Sequence, residues 1–439
     1  MKILYVADNR NRGNYGCRAT STALSQLVEK NNVITGTITG RYTHTHNDKL
    51  FFIKGLPRIC YKYLGRIRHW DDIRIGLFLF FNLLKPHGKV YFSQFDFLSL
   101  DLDRAIENLL KCIPANPELE EFDLRKYDFD AMVVNGEGSF IFSTPPWRES
   151  ITITMLMHWA QKMGKKVFFM NAMFSDSPNS LRNEKTINIV NNVLKKCDIV
   201  SVRENKSREY VEQHMKEIKP IVIPDALFSW YSVVNDTHKI LDGKYYLDYR
   251  VASNLAYKNM DFTKPYICIT GSSVSGEKGN KQENINRMIH LVQETKRKFK
   301  DYVVYIVEAC EGDQYMLEVA QKTKTLVVGL ATPSLAAAKI LADASVYITG
   351  RYHPAIMASL GGTPCVFMGS NSHKTYSLQE LLEYETIQEY PFEFTDEICE
   401  QILEHAQCFL SQGDDLRLKI KKRAKELSEL SERIAEIIQ

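Results

Sequence analysis

The chain has 439 residues, too many for one ordinary hydrophobic core, so two domains are expected. With 44% hydrophobic and 25% charged residues it is a folding chain, and a formal charge of only +3 excludes a surface built mainly for nucleic acid. Its nine cysteines are scattered singly with no C-x-x-C pair, which leaves neither a zinc knuckle nor a disulfide framework and suits a reducing cytoplasm.

The amino terminus carries one lysine and a short apolar run that stops before Asp8, so it reads as a first strand, Ile3–Val6, and not as a signal peptide. Gly13-Asn-Tyr-Gly-Cys-Arg-Ala follows, ahead of an apolar helical run over 19–28. A turn built on Gly13, Asn14 and Gly16 would expose backbone N–H groups to an anion or a sugar hydroxyl. A plain strand-to-helix turn that needs glycine explains the same residues equally well.

Residues 41–125 are aromatic, basic and weakly patterned, and read as an elaboration within the first domain. Its most apolar stretch, 76–84, is far below the roughly 20 residues that span a bilayer. Arg58, Lys62, Arg66, Arg68 and Arg74 precede it, so a buried element is the plain reading and a peripheral contact with anionic lipid at the inner membrane face is the alternative.

Near-continuous apolar runs at Ala131–Val134, Val167–Met170, Ile199–Val202 and Ile221–Ile223 alternate with helical stretches, as strands of a parallel sheet covered on both faces do. Asn135-Gly-Glu-Gly-Ser closes the first of these. Gly136 and Gly138 would let backbone approach a ligand while Glu137 projects as a base toward a sugar hydroxyl; a solvated loop carboxylate is the competing reading. Arg203, in Ser201-Val-Arg-Glu, is placed to hold a carboxylate or phosphate, or to pair with Glu204 or Glu209. Asp225, after the last strand, offers a second carboxylate or caps the next turn.

A polar, Tyr- and Asn-rich stretch over 230–261 reads as the interdomain connection. Beyond it the strand pattern returns at Tyr266–Ile269, Val303–Val307, Leu326–Val328, Val346–Ile348 and Cys365–Met368. The most distinctive segment is Gly350-Arg-Tyr-His-Pro-Ala-Ile-Met-Ala-Ser-Leu-Gly-Gly-Thr-Pro, a strand end, a helix start and a return to strand. Arg351 and His353 can there present a fixed cation and a titratable imidazole to one ligand. Ser372, His373 and Lys374 follow the next strand as candidate phosphate ligands or as a solvated loop. Leu416, Ile420, Leu427, Leu430, Ile434 and Ile437 give the tail helical periodicity. The expected organisation is a first domain over 1–235, a second over 260–412 and an amphipathic helix over 413–439.

Taken in order, these segments resemble the motif series of the polysaccharide pyruvyl transferases. The Arg-x-His helix unit and the Ser-x-Arg-Glu segment are the specific parts. The resemblance implies an α/β protein of two Rossmann-like domains facing across a cleft, GT-B-like, that moves a pyruvyl unit from phosphoenolpyruvate to a sugar or lipid-linked oligosaccharide acceptor. It implies no metal and no cofactor beyond the co-substrate. Arg203 and Arg351 would then clamp the donor with Ser372 and Lys374 nearby, His353 would act as general acid, and Glu137 or Asp225 would serve the acceptor. The rival readings are a glycosyltransferase of the same architecture using a nucleotide sugar, and a non-catalytic glycan-binding protein.

Overall fold

The computed structural model describes residues 1–39, 97–115, 117–144, 146–178, 180–236, 260–275 and 281–439. The basic and apolar run over 58–84 and most of the expected connection over 230–261 lie outside them. Among the described residues no helix is long and apolar enough to cross a membrane.

Twelve strands are described, and they form two sheets of six. The first holds β1 (Lys2–Asp8), β2 (Val33–Thr39), β3 (Ala131–Phe142), β4 (Lys166–Asp176), β5 (Ile199–Val202) and β6 (Ile221–Val222), all parallel, in the order β2-β1-β3-β4-β5-β6. The second holds β7 (Tyr266–Ser272), β8 (Val303–Val307), β9 (Leu326–Val328), β10 (Val346–Gly350), β11 (Cys365–Met368) and β12 (Glu389–Tyr390), also parallel, in the order β12-β11-β10-β7-β8-β9. Both are doubly wound orders, so each sheet has a point where the winding reverses: between β1 and β3 in the first, and between β7 and β10 in the second. Ligands of such sheets bind beyond the carboxyl ends of the strands at that point.

The apolar runs are buried as parallel strands require. Leu4, Val6, Met132, Val134, Phe169 and Phe174 pack in one core, and Ile267, Ile269, Ile306, Ile348 and Val366 in the other. Two strands, β2 and β12, carry too weak an apolar signal to be found from sequence; β2 is the half-exposed edge of its sheet and β12 is two residues long.

The chain divides into two compact units. The first comprises 1–8, 28–222 and 438–439; the second comprises 9–27 and 223–437. The boundaries differ from the expected 1–235 and 260–412. The loop and helix after β1 cluster with the second sheet, as does the helical segment after Asp225, where Trp230 donates from its indole nitrogen to Gln26 at 2.9 Å. The tail is one run, Asp396–Ile437, broken at Gly413, with Ile420, Leu427 and Ile434 buried and Leu430 exposed.

The return from the helix Tyr352–Leu360 to β11 depends on glycine. Gly362 has φ +87°, and a Cβ there would lie 2.2 Å from the Arg417 carbonyl oxygen. Gly138, by contrast, has nothing within 4 Å of such an atom. Gly362→Ala is therefore expected to cost about 2 kcal/mol or more in urea unfolding, while Gly138→Ala should stay within about 1 kcal/mol of the parent. Equal losses in the two variants would contradict this account.

Candidate functional site

At the winding point of the second sheet, β10 ends on Gly350, which lies so close to β7 that a Cβ would meet the Ser272 Cβ at 2.5 Å. The chain then turns through Arg351 into the helix Tyr352–Leu360. Arg351 Nη2 donates to Asp313 Oδ1 at 2.5 Å. Asp313 is fully buried and its other oxygen accepts the Ala309 N–H at 3.3 Å. Burial works against the guanidinium charge, but the Asp313 carboxylate outweighs it and holds Arg351 above its usual range. The Arg351 Nε makes no hydrogen bond to any described residue, so the pairing uses only part of the fork.

Two residues on, His353 is nine-tenths buried and its Nε2 lies 3.2 Å from Asp225 Oδ2. Asp225 is fully buried. Its Oδ1 accepts from Thr20 Oγ1 at 2.6 Å and from the Leu227 N–H at 3.0 Å, the latter capping the turn Ala226–Trp230. The capping reading of Asp225 thus holds together with a contact to the imidazole. The Tyr352 ring stands edge-on to the imidazole, with centroids 5.2 Å apart.

The first glycine motif is built for packing. Asn14 Oδ1 accepts the Cys17 N–H at 3.1 Å and so caps the helix Tyr15–Glu29. A Cβ at Gly16 would lie 2.7 Å from the His353 Cβ, and one at Gly13 would run into the Glu311 side chain. The Glu311 N–H donates to the Gly13 carbonyl at 2.8 Å. Arg18 in the same motif donates to the carbonyls of Arg12, Leu330 and Thr332 at 3.1, 3.1 and 3.4 Å. These bonds explain why this segment clusters with the second unit.

Beside β10, the segment after β11 is tied to the end of β7. Ser273 and Ser370 hydroxyls lie 3.2 Å apart, and the Asn371 N–H donates to Ser273 Oγ at 3.1 Å. Lys374 opens the helix Lys374–Leu381 and donates to Asn371 Oδ1 at 2.7 Å; Ser372 is half-buried alongside. Glu308, just beyond β8, has its carboxyl pushed up by burial and accepts the Leu330 N–H at 3.1 Å.

In the first unit, β3 does not stop at Val134. It continues to Phe142, with a register shift against β4 between Glu137 and Phe140, so the NGEGS motif sits inside an irregular strand. Glu137 is 3% exposed and adopts φ +35°, a conformation costly for a side chain with a Cβ. Ala7 at the end of β1 and Asn171 in β4 are also left-handed, at φ +60° and +58°. Three neighbouring strands thus kink at one edge of the sheet, around its winding point. Asn135 Nδ2 donates to Glu137 Oε1 at 2.7 Å, and Asn171 Nδ2 donates to Asn135 Oδ1 at 3.2 Å. Glu137 is therefore a held carboxylate and not a solvated one. A Cβ at Gly136 would lie 2.6 Å from the Ala172 Cβ, so this glycine serves strand contact, and the open space at Gly138 shows no such need. Arg203 is buried, its N–H donating to the Ala172 carbonyl at 3.0 Å, while Glu204 caps the helix Asn205–His214.

The structure gathers Gly13, Asn14, Gly16, Asp225, Arg351, His353, Ser372 and Lys374 into the second unit and leaves Gly136, Glu137, Gly138 and Arg203 in the first. Sequence reasoning missed Asp313, Thr20, Ser273 and Asn171. Asp313 carried one signal, as an acidic residue in a glycine-containing loop just after a clear strand; the others carried none.

The sequence model of the family described as polysaccharide pyruvyl transferase matches residues 14–372. No curated protein matches the sequence. Among solved structures, the UDP-GlcNAc 2-epimerase from Neisseria meningitidis bound to UDP-GlcNAc is similar at TM-score 0.56 and 12% identity, covering 99% of each chain. The UDP-N-acetylglucosamine 2-epimerase from Rickettsia bellii is similar at 0.51 and 10%, covering 100% of this chain and 96% of that one. The Methanocaldococcus jannaschii UDP-GlcNAc 2-epimerase in complex with UDP-GlcNAc and UDP is similar at 0.51 and 12%, covering 98% and 99%. At these identities the likeness shows the fold, the expected GT-B-like pairing of two Rossmann-like α/β units.

The Arg351–Asp313 pair makes a stability prediction. Removing only the buried carboxylate, Asp313→Leu, leaves a partly buried cation without its counter-charge and should cost about 3 kcal/mol, whereas adding Arg351→Met should restore more than half of the loss. A neutral single variant in denaturant melts would show that the pair does not hold the arginine.

Proposed function

Because the chain belongs to the polysaccharide pyruvyl transferase family, and so is a transferase of pyruvyl units to polysaccharide, we propose that its donor is phosphoenolpyruvate and its product a cyclic pyruvate ketal on a sugar diol. The observation that carries this reading is the pairing of a partly buried, carboxylate-held guanidinium with a carboxylate-held imidazole two residues away, at the winding point of a doubly wound sheet.

The reaction is redox-neutral and its atoms balance without a further reactant. C3 of the enol gains a proton, one acceptor hydroxyl adds to C2, the C2–O bond to phosphate breaks, and the second hydroxyl closes the ketal. Of the two protons the diol gives up, one replaces that delivered to C3 and the other leaves with phosphate. Such a donor carries a carboxylate and a phosphate, and arginine meets both with paired hydrogen bonds. Arg351 anchors one of these groups, with Lys374 and the serine hydroxyls near it suited to phosphate. Arg203 takes the remaining anionic charge. His353 delivers the proton as general acid. Glu137, already held by Asn135, accepts from the acceptor hydroxyl. Asp225 is reassigned: its full burial and its three donors suit it to hold His353 and not to touch the acceptor. The acceptor is a polymer repeat unit or its lipid-linked precursor.

The test is a thermal-shift titration with phosphoenolpyruvate and, separately, nucleotide sugars. At a ligand concentration of 100 times Kd, wild type should gain about 2.7 kcal/mol from phosphoenolpyruvate. The Asp313→Leu/Arg351→Met variant, which removes the anchor without stranding a charge, should gain nothing. Stabilisation by nucleotide sugars alone would replace pyruvyl transfer with glycosyl transfer.

A further inference from the structure

Resting on Arg351 as the anchor of that reading, we infer that Gly271 is a positioning residue: its missing side chain lets Asp313 stand against the arginine and so sets where the guanidinium meets a ligand. Gly271 is the next-to-last residue of β7, the strand that pairs with β10 at the winding point. Gly271, Asp313, Tyr315 and Arg351 all belong to the second unit.

The space that a Cβ at Gly271 would take is already occupied. Such an atom would run into the Tyr315 hydroxyl oxygen and would lie 2.7 Å from Asp313 Oδ1, the oxygen that accepts from Arg351 Nη2. One or both of these groups would have to move, and neither moves freely. Asp313 is fully buried, its Oδ2 accepts from the Ala309 N–H at 3.3 Å and the Cys310 thiol at 3.6 Å, and its own N–H donates to the Cys310 carbonyl at 2.9 Å. Tyr315 opens the helix Tyr315–Thr323 and is nine-tenths buried in the second core. A ring packed at that density swings away only by opening its neighbours.

A second glycine beside the arginine makes the contrast. At Gly312 a Cβ would stand 3.5 Å from Arg351 Nη2 and from the Cys310 sulfur, which is ordinary contact. Gly312 thus lies against the arginine without having to be glycine for it, whereas Gly271 acts on the arginine through Asp313. The effect of a side chain at 271 is first steric and then electrostatic. A methyl group there drives the carboxylate off Nη2, and a guanidinium whose side chain is only 13% exposed loses its counter-charge. The arginine then settles on other acceptors and no longer presents the same edge to a donor.

The experiment combines urea unfolding of the full-length protein with the phosphoenolpyruvate titration. Arg351→Met should lower the urea midpoint of wild type, because it leaves Asp313 without its cation. It should lower that midpoint little or not at all once Gly271→Ala has parted the two groups. Gly271→Ala should also raise Kd for phosphoenolpyruvate roughly 10-fold or more, as loss of a charge-assisted hydrogen bond requires. Gly312→Ala should leave both the coupling and Kd as in wild type. Tyr315→Phe removes the atom that the new methyl group meets first, so adding it to Gly271→Ala should recover part of both losses; this double variant also serves if Gly271→Ala alone does not fold. Additive midpoint shifts of Gly271→Ala and Arg351→Met, or equal losses in Gly312→Ala and Gly271→Ala, would overturn the inference. The coupling is read without ligand. Intact coupling in a protein that phosphoenolpyruvate does not stabilise would therefore sink the proposed reaction and leave the positioning role standing.

Discussion

A guanidinium placed at the end of a buried strand must have its charge met inside the protein, and Asp313 meets that of Arg351. Most of the second unit's edge follows from this constraint. The loop after β8 must return to β10 to bring Asp313 under the arginine, and the first glycine motif pairs with that loop through Asn14 and Cys310. Asp225 repeats the device for His353. A fixed cation and an oriented imidazole are thereby presented from one helix start, each held from below by a carboxylate that solvent does not reach. Such pairs contribute little net stability compared with apolar packing, so their value lies in orientation.

The first unit uses a different means to a similar end. Ala7, Glu137 and Asn171 hold left-handed backbone in three adjacent strands, a strain that persists only where surrounding bonds over-determine it. The chain of amides from Asn171 through Asn135 to Glu137 supplies those bonds. Each unit thus places its polar, held groups at its own winding point, where open α/β sheets take ligands.

Much of the fold was legible because parallel strands covered on both faces must be apolar throughout. Tyr266–Ile269, Val303–Val307 and Val346–Ile348 announce themselves in that way, whereas the half-exposed β2 does not. The positions of Arg351, His353, Arg203 and Glu137 were legible because each follows an apolar run that reads as a strand. Their partners were not. Nothing in the sequence ties Asp313 to Arg351, 38 positions away, or Thr20 to Asp225, 205 positions away, since both contacts exist only after the sheets have formed. The glycines were legible as glycines but not by role. Gly16 makes room for His353, Gly136 for Ala172, and only the fold distinguishes such packing from an approach to ligand. The unit boundaries escaped for the same reason, because the loop after β1 is held by Ala309, Glu311 and Leu330, far along the chain.

The most direct test of the central claim, that Asp313 holds Arg351 ready as the donor's anchor, is a crystal structure of the protein with phosphoenolpyruvate. A donor carboxylate or phosphate oxygen is expected within about 3 Å of the Arg351 guanidinium, with the Asp313 pairing intact. A donor bound without contact to Arg351, or an arginine that leaves Asp313 to reach it, would contradict the account.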